Sequence, residues 1–198
     1  MTMNAYDFDK TIYRHDCSVT FYLWCLRHYP RIVRRWPRLI CDALLYGRKK
    51  LTKHVFMERF YRYLRDVPDV CAEAERFWDA HQKDMHAWYG KTHQADDLLI
   101  SASPYFLIKP IADRLDIRYV LASPLNPATG FYEGERCHSE GKVRALRKAY
   151  PDARIEAFYS DSLSDTPMAE IAERAYLVHG EQLTAWPKKA GSRKDECP

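Results

Sequence analysis

From Asp96 onward, short apolar runs alternate with helix-length segments, and this alternation constrains the fold more than any other feature of the chain. Strands are predicted at 98–100, 117–122, 155–159 and 175–178, with helices at 104–115 and 141–150 and another starting near Ser164. Residues 129–137, with Gly130 and Gly134, read as a small hairpin. One further strand, 3–8, opens the chain. Between it and the rest, residues 14–93 carry no strand signal. They predict helices near 18–29, 31–46, 51–65 and 69–89, with Pro30, Gly47 and Pro68 falling between them as breakers. The expectation is an α/β parallel sheet whose first strand is separated from the others by a helical insertion.

At 198 residues the chain has room for one core with a modest insertion. It is 46% hydrophobic and 29% charged, which excludes a disordered or collagen-like chain. No apolar run approaches the roughly 18 residues of a membrane span. The N-terminus lacks the basic-then-apolar order of a secretory signal, with Asp7 and Asp9 standing where the apolar segment would lie. The six cysteines form no CxxC pair, so they read as reduced thiols of a cytoplasmic protein. A net charge of +4 is too small to imply specific nucleic-acid binding.

Ligands of open α/β sheets bind at the carboxyl ends of the strands. The first strand ends in Asp7-Phe8-Asp9-Lys10-Thr11. Two carboxylates that close repel unless a cation lies between them or one is protonated, and Mg²⁺ suits such a pair. A solvated turn would place the same residues. The second strand ends in Ser101-Ala102-Ser103-Pro104, which fits an anion site at a helix N-terminus, an ordinary Ser103 N-cap, or both. Lys142 opens a helix, where a cation is unfavourable unless something negative faces it. A further strand ends in Ser160-Asp161-Ser162-Leu163-Ser164-Asp165; Asp165 could simply complement the helix dipole. Acids at two strand ends, a hydroxyl at a third and a lysine on a nearby helix together describe a magnesium–phosphate site.

In this order the segments resemble the motifs of the haloacid dehalogenase superfamily, in the branch that includes phosphoserine phosphatase. Asp7-Phe8-Asp9-Lys10-Thr11 resembles the first motif, DxDxT, and Ser101 the second-motif Ser/Thr. Lys142 resembles the third-motif lysine, and 160–165 the fourth motif, GDxxxD. The resemblance implies a three-layer Rossmann-like core, 1–13 and 94–187, a C1-type helical cap, 14–93, and a tail, 188–198. It implies a phosphomonoesterase acting on a small phosphorylated metabolite through an aspartyl-phosphate. Asp7 would be the nucleophile and Asp9 the general acid and base. Ser101, Ala102 and Lys142 would bind the phosphoryl group. Mg²⁺ would be held by the Asp7 carboxylate, the Asp9 backbone carbonyl and Asp161, with Asp165 in support. Ser160 stands where the family usually has Gly, Ser164 where phosphoserine phosphatases carry Asn, and Ala102-Ser103 where they carry two glycines. These departures weigh against phosphoserine itself, and a phosphoserine phosphatase proper stays as an alternative.

Charge is divided unevenly. Residues 14–93 hold 16 Lys and Arg against nine Asp and Glu, and the remainder holds 15 against 18. Between Arg27 and Lys53 the one acid is Asp42, with Tyr29, Trp36 and Tyr46 interspersed and Trp24 just before. Two readings follow: a solvated face with its aromatics turned inward, or a surface for an anionic partner such as a membrane, with a lipid phosphate such as phosphatidylglycerophosphate as the alternative substrate. His138, near Lys142, could border the pocket but reads rather as a surface histidine. His81 and His86 do not share a helical face, and nothing in the sequence shows whether Glu58, Arg59 or Arg62 reaches the cleft.

Overall fold

The strand ends predicted to converge do so because five strands run parallel in one sheet. The computed structural model describes residues 1–187, so the tail at 188–198 lies outside the described residues. The strands are β1 (Thr2–Tyr6), β2 (Leu98–Pro104), β3 (Tyr119–Ser123), β4 (Arg154–Ser160), β5 (Ala172–His179) and β6 (Gln182–Ala185). Their order is β3-β2-β1-β4-β5-β6, and only β6 is antiparallel to its neighbour. Tyr6 pairs with Leu99 on one side and with Tyr159 on the other. That register sets the residues after β1 between the ends of β2 and β4.

Alternation along the strands sorts side chains to two faces. Tyr6, Leu99, Ala157 and Tyr159 join one core with the helical insertion and α6 (Tyr105–Arg114). Met3, Ala5, Leu98, Ile100 and Phe158 join another with α7 (Glu140–Ala149) and α8 (Thr166–Ile171). The result is the three-layer α/β arrangement expected. Tyr6, Tyr159 and Tyr176 stack across β1, β4 and β5, with ring centroids 4.7 and 5.0 Å apart.

Between β1 and β2 lie α1 (Cys17–His28), α2 (Trp36–Gly47), α3 (Lys53–Tyr61), α4 (Val70–His81) and the short α5 (Tyr89–Thr92). Asp16 caps α1, Thr52 caps α3 and Asp69 caps α4 through their side chains. The predicted 31–46 helix is divided: a 3₁₀ turn covers Pro30–Arg35, and α2 starts at Trp36, where Pro37 offers no N–H to continue the ladder. The predicted 51–65 helix likewise ends in a 3₁₀ turn at Arg62–Asp66, and the 69–89 helix stops at His81. α4 packs on α6, with Trp78 Nε1 donating to the Leu107 carbonyl at 2.7 Å. Among the described residues no helix is long and apolar enough to cross a membrane.

Two further expectations need correction. The 129–137 hairpin is reduced to one bridge, Leu125 to Tyr132, because the Asn126 side chain takes the amides of Ala128 and Thr129 into a turn. Gly130 sits there at φ +73°, so close to the Tyr61 carbonyl that a Cβ would lie 2.6 Å from its oxygen. The second concerns the sheet's far edge, where β6 adds a strand beyond those predicted. Every one of its residues is exposed, so it carries no alternation to read.

Candidate active site

Beyond Tyr6 the chain makes one more sheet contact, Asp7 N–H to the Tyr159 carbonyl at 2.8 Å, and then turns. The Phe8 carbonyl accepts from the amides of Thr11, Ile12 and Tyr13, and Lys10 takes a left-handed φ of 59°. This tight loop presents Asp7 and Asp9 at the sheet edge. It is tied to the end of β4 by Thr11, whose Oγ1 accepts from the Asp161 amide at 2.9 Å.

Asp7, Lys142 and Asp165 form a buried group. Lys142 Nζ donates to Asp7 Oδ1 and to Asp165 Oδ2, each at 2.6 Å, and Lys142 is 1% exposed. Ser160 Oγ adds a hydrogen bond to Asp165 Oδ2 at 2.8 Å, a role the family's usual glycine could not fill. Burial works against the charge on Lys142 but is outweighed by the two carboxylates, which raise its pKa. Burial pushes the Asp7 carboxyl up to about 7, opposed by Lys142 and reinforced by Asp165. The cation expected opposite an unfavourable helix start is thus explained: Lys142 turns inward onto two acids. Gly141 permits it, since a Cβ there would sit 2.2 Å from the Arg136 carbonyl oxygen.

Asp9 is held differently. Its Oδ1 accepts from the Cys17 amide at the start of α1 at 2.6 Å, and its Oδ2 accepts from Ser103 Oγ at 2.5 Å. Ser103 Oγ lies 3.0 Å from Ser18 Oγ, and Ser18 accepts from the Tyr61 hydroxyl at 2.8 Å. Because Ser103 spends its one proton on Asp9, the chain runs in one direction, Tyr61 to Ser18 to Ser103 to Asp9. Burial, then the nearby Asp16, raise the Asp9 carboxyl to about 6 against these donors. Ser103 is therefore not the N-cap of α6; Pro104 holds that position without a side-chain bond. Ser101 is buried, and its Oγ accepts from the Ser103 amide at 3.1 Å, leaving its proton free for a ligand.

Asp161 stands apart from the ion pairs, with its carboxyl raised chiefly by burial. Neither Asp161 nor Oδ2 of Asp7 has an ion-pair partner among the described residues. Two of the four carboxyl groups, those of Asp7 and Asp165, thus hold the one buried ammonium. Among the described residues no three His, Cys, Asp or Glu side chains close into a metal cage. Asp165 in particular is committed to Lys142. An open donor set of one or two carboxylates with a backbone carbonyl suits Mg²⁺, which keeps water and takes phosphate oxygens in its remaining positions.

A cavity of about 500 Å³ opens above Asp9, Ala102 and Ser103. Val19, Leu39, Ala43, Phe56, Met57 and Phe60 of the insertion form its apolar wall, and Lys53, Arg136 and His138 stand on its polar side. Lys53 Nζ and His138 Nε2 are 2.9 Å apart. Burial, with Lys53 and Arg136, lowers the His138 pKa to about 4, so it is neutral. Of the two readings of His138, the one that borders the pocket holds, and the surface histidine does not. Glu58, Arg59 and Arg62 do not line the cavity: Arg59 pairs with Asp42 at 2.5 Å, Glu58 faces His54, and Arg62 lies over Phe131. His81 bonds the Phe77 carbonyl and His86 meets Glu181, both away from the site.

The sequence reasoning missed Ser18, Tyr61 and the role of Ser103. Ala102-Ser103 in place of two glycines was the available signal for Ser103. Nothing distinguished Ser18 or Tyr61 from other helical residues.

The model of the haloacid dehalogenase-like hydrolases matches residues 5–170. The chain is 28% identical over 192 residues to Protein CicA of Caulobacter vibrioides, covering 88% of this chain and 85% of that protein. It is 32% identical over 147 residues to a probable phosphatase of Mycobacterium tuberculosis, covering 66% of this chain and 48% of that protein. Among solved structures, a protein of unknown function from Bordetella pertussis superposes with a TM-score of 0.71 at 22% identity, covering 88% of each chain. A phosphoserine phosphohydrolase-like protein from Francisella tularensis superposes at 0.55 with 16% identity, covering 88% of this chain and 86% of that one. At these identities the structural likeness shows the fold alone.

Proposed function

The chain belongs to the haloacid dehalogenase-like hydrolases, and from that membership we propose that it is a Mg²⁺-dependent phosphomonoesterase working through an aspartyl-phosphate on Asp7. The observation that carries this reading is the pair of unlike acids at the end of β1. Asp7 lies against a buried ammonium, and Asp9 is gripped by neutral donors with its carboxyl near neutrality.

In the first step an Asp7 carboxylate oxygen bonds to phosphorus as the ester oxygen leaves, and Asp9 gives that oxygen its proton. In the second, ionised Asp9 takes a proton from water as its oxygen bonds to phosphorus. The bond to Asp7 breaks, returning the carboxylate and releasing phosphate. A pKa of about 6 suits both duties. Lys142 has three N–H donors and commits two to Asp7 and Asp165; the third remains for a phosphoryl oxygen, as does the Ser101 hydroxyl. The Asp7 carboxylate, the Asp9 backbone carbonyl and Asp161 would hold Mg²⁺, and Asp165 supports the set by fixing Lys142. Bound Mg²⁺ supplies positive charge that screens one anion's approach to another. Residues 14–93 serve as the cap over this site, with 1–13 and 94–187 as the core. The cavity walls suit a small phosphomonoester with an apolar leaving group better than phosphoserine.

Hydrolysis of p-nitrophenyl phosphate with Mg²⁺, lost in EDTA and restored by added Mg²⁺, is the direct test; activity unchanged by chelation would reject the metal. Stability gives a second readout. Asp7 and Asp9 are held above the ordinary carboxyl value of 3.8, so the folded chain keeps protons that the unfolded chain has released. Metal-free protein is accordingly expected to lose stability as pH rises from about 4 to about 7. Mg²⁺ needs the ionised carboxylates, so it should raise Tm more at about pH 8 than at about pH 5. An equal shift at both would contradict it.

Ser103→Ala removes the hydroxyl donor from Asp9. The expected result is a roughly tenfold lower kcat, with the acid limb of the pH–rate profile moved upward, since the lost hydrogen bond favours the ionised form. An unchanged profile would remove Ser103 from the account.

A further inference from the structure

We propose that the outer face of α2, with the 3₁₀ turn before it, is a docking surface for an anionic lipid membrane. The proposal goes beyond the hydrolase reading and does not depend on it. No residue of α2 is buried, which is unusual for a helix with this many apolar side chains. Its inner side rests on α3, through the Asp42–Arg59 pair and the stacked rings of Tyr46 and Phe56 at 4.9 Å. Its outer side is left uncovered: Trp36 is 43% exposed, and Ile40 and Leu44 are each 57% exposed. A spacing of four residues keeps these three within an arc of about 80°. Val33, in the preceding turn, is 43% exposed and continues the stripe.

Exposed cations bracket this apolar centre, Arg31, Arg34 and Arg38 toward one end and Arg48, Lys49 and Lys50 toward the other. The ion pairs of the region are Arg35–Asp66 and Arg59–Asp42, and none of those six has an ion-pair partner among the described residues. Asp42, the one acid between Arg27 and Lys53, is turned inward. An apolar centre with a cationic border and no negative charge matches an acyl boundary beneath anionic headgroups. A nucleic-acid surface would leave the Trp36, Ile40 and Leu44 side chains without a partner. A second copy of the same face would set cations against cations. The two sequence readings of the basic segment are thereby divided between its residues: Trp24 and Tyr29 turn inward onto Glu73, while Trp36, whose Nε1 donates to the Tyr22 hydroxyl at 2.8 Å, still leaves 43% of its surface exposed. The placement also links surface and site, because Leu39 and Ala43 of the same helix line the cavity over Asp9.

The test is sedimentation of the full chain with phosphatidylcholine vesicles carrying about one third phosphatidylglycerol, and with phosphatidylcholine alone. Binding is expected to the anionic vesicles only, weakening as salt shortens the screening length. The double variant Ile40→Asp, Leu44→Asp should lower vesicle affinity at least about tenfold. Its melting curve and its p-nitrophenyl phosphate hydrolysis should match the parent, since neither residue lines the cavity. No binding to anionic vesicles, or binding untouched by the double substitution, overturns the proposal. So does a parent dimer that the substitutions dissociate without changing vesicle binding, which would assign the face to a second copy. Vesicle binding without phosphatase activity would sustain the docking surface and reject the catalytic reading, keeping the two failures distinct.

Discussion

Asp7→Asn should leave a folded protein whose Mg²⁺-dependent hydrolysis of p-nitrophenyl phosphate falls by at least about 10⁴-fold. The amide keeps the size of the side chain but has no anionic oxygen to attack phosphorus. It also turns one Lys142 contact from a charge pair into a neutral hydrogen bond. Asp165 still faces that ammonium at 2.6 Å, so Lys142 remains charged and in place. Removing one of the repelling carboxylates offsets part of the lost attraction to Lys142. The melting temperature of the metal-free variant should therefore stay close to that of the parent, even as turnover disappears. Initial rates and thermal melts measured on one preparation check both halves. A variant retaining more than about a hundredth of the activity would mean that Asp7 is not the nucleophile.

Lys142→Met should have the largest effect on stability. The lysine is 1% exposed, and it stands between Asp7 and Asp165, the latter 3% exposed. Removing one member of a buried ionic group leaves the others uncompensated, a loss of about 3–5 kcal/mol. In urea this should appear as an earlier unfolding midpoint with little change in slope. Adding Asp165→Asn to Lys142→Met removes the deeper of the orphaned carboxylates and should recover part of that loss. Activity should not return, because the phosphoryl group still lacks its ammonium donor. Full stability in Lys142→Met alone would show that the ion pairs contribute nothing to the fold, and full activity would show that Lys142 does not meet the phosphoryl group.

The sheet and the positions of its acids were legible because both obey short-range rules. Apolar runs of strand length separated by helical segments predict β1 to β5, and each candidate acid lies just beyond a strand's carboxyl end, while Ser101 lies within β2, which runs on to Pro104. β6 escaped because a wholly exposed strand has no inward face to betray it. The support of Asp9 escaped for another reason. Ser18 and Tyr61 are 85 and 42 residues away from Ser103 along the chain, brought together only by the packing of α1 and α3 over the end of β2. Ser103 has the local signature of a helix cap, and only tertiary structure shows its hydroxyl turned to Asp9. Lys142 and Asp165 were both identified as site residues. Their direct pairing was not, since 23 positions separate them and the sequence holds no sign of which acid a buried lysine will choose. The basic character of the insertion was plain in the charge count, but which aromatics turn outward depended on how α2 rests upon α3.

Covalent chemistry at Asp7 can be read out by mass spectrometry of rapidly acid-quenched turnover mixtures. With Mg²⁺ and p-nitrophenyl phosphate, one added phosphoryl group is expected on the peptide containing Asp7, labile to hydroxylamine and absent from Asp7→Asn. Turnover at the parent rate with that phosphoryl group on another residue would contradict it.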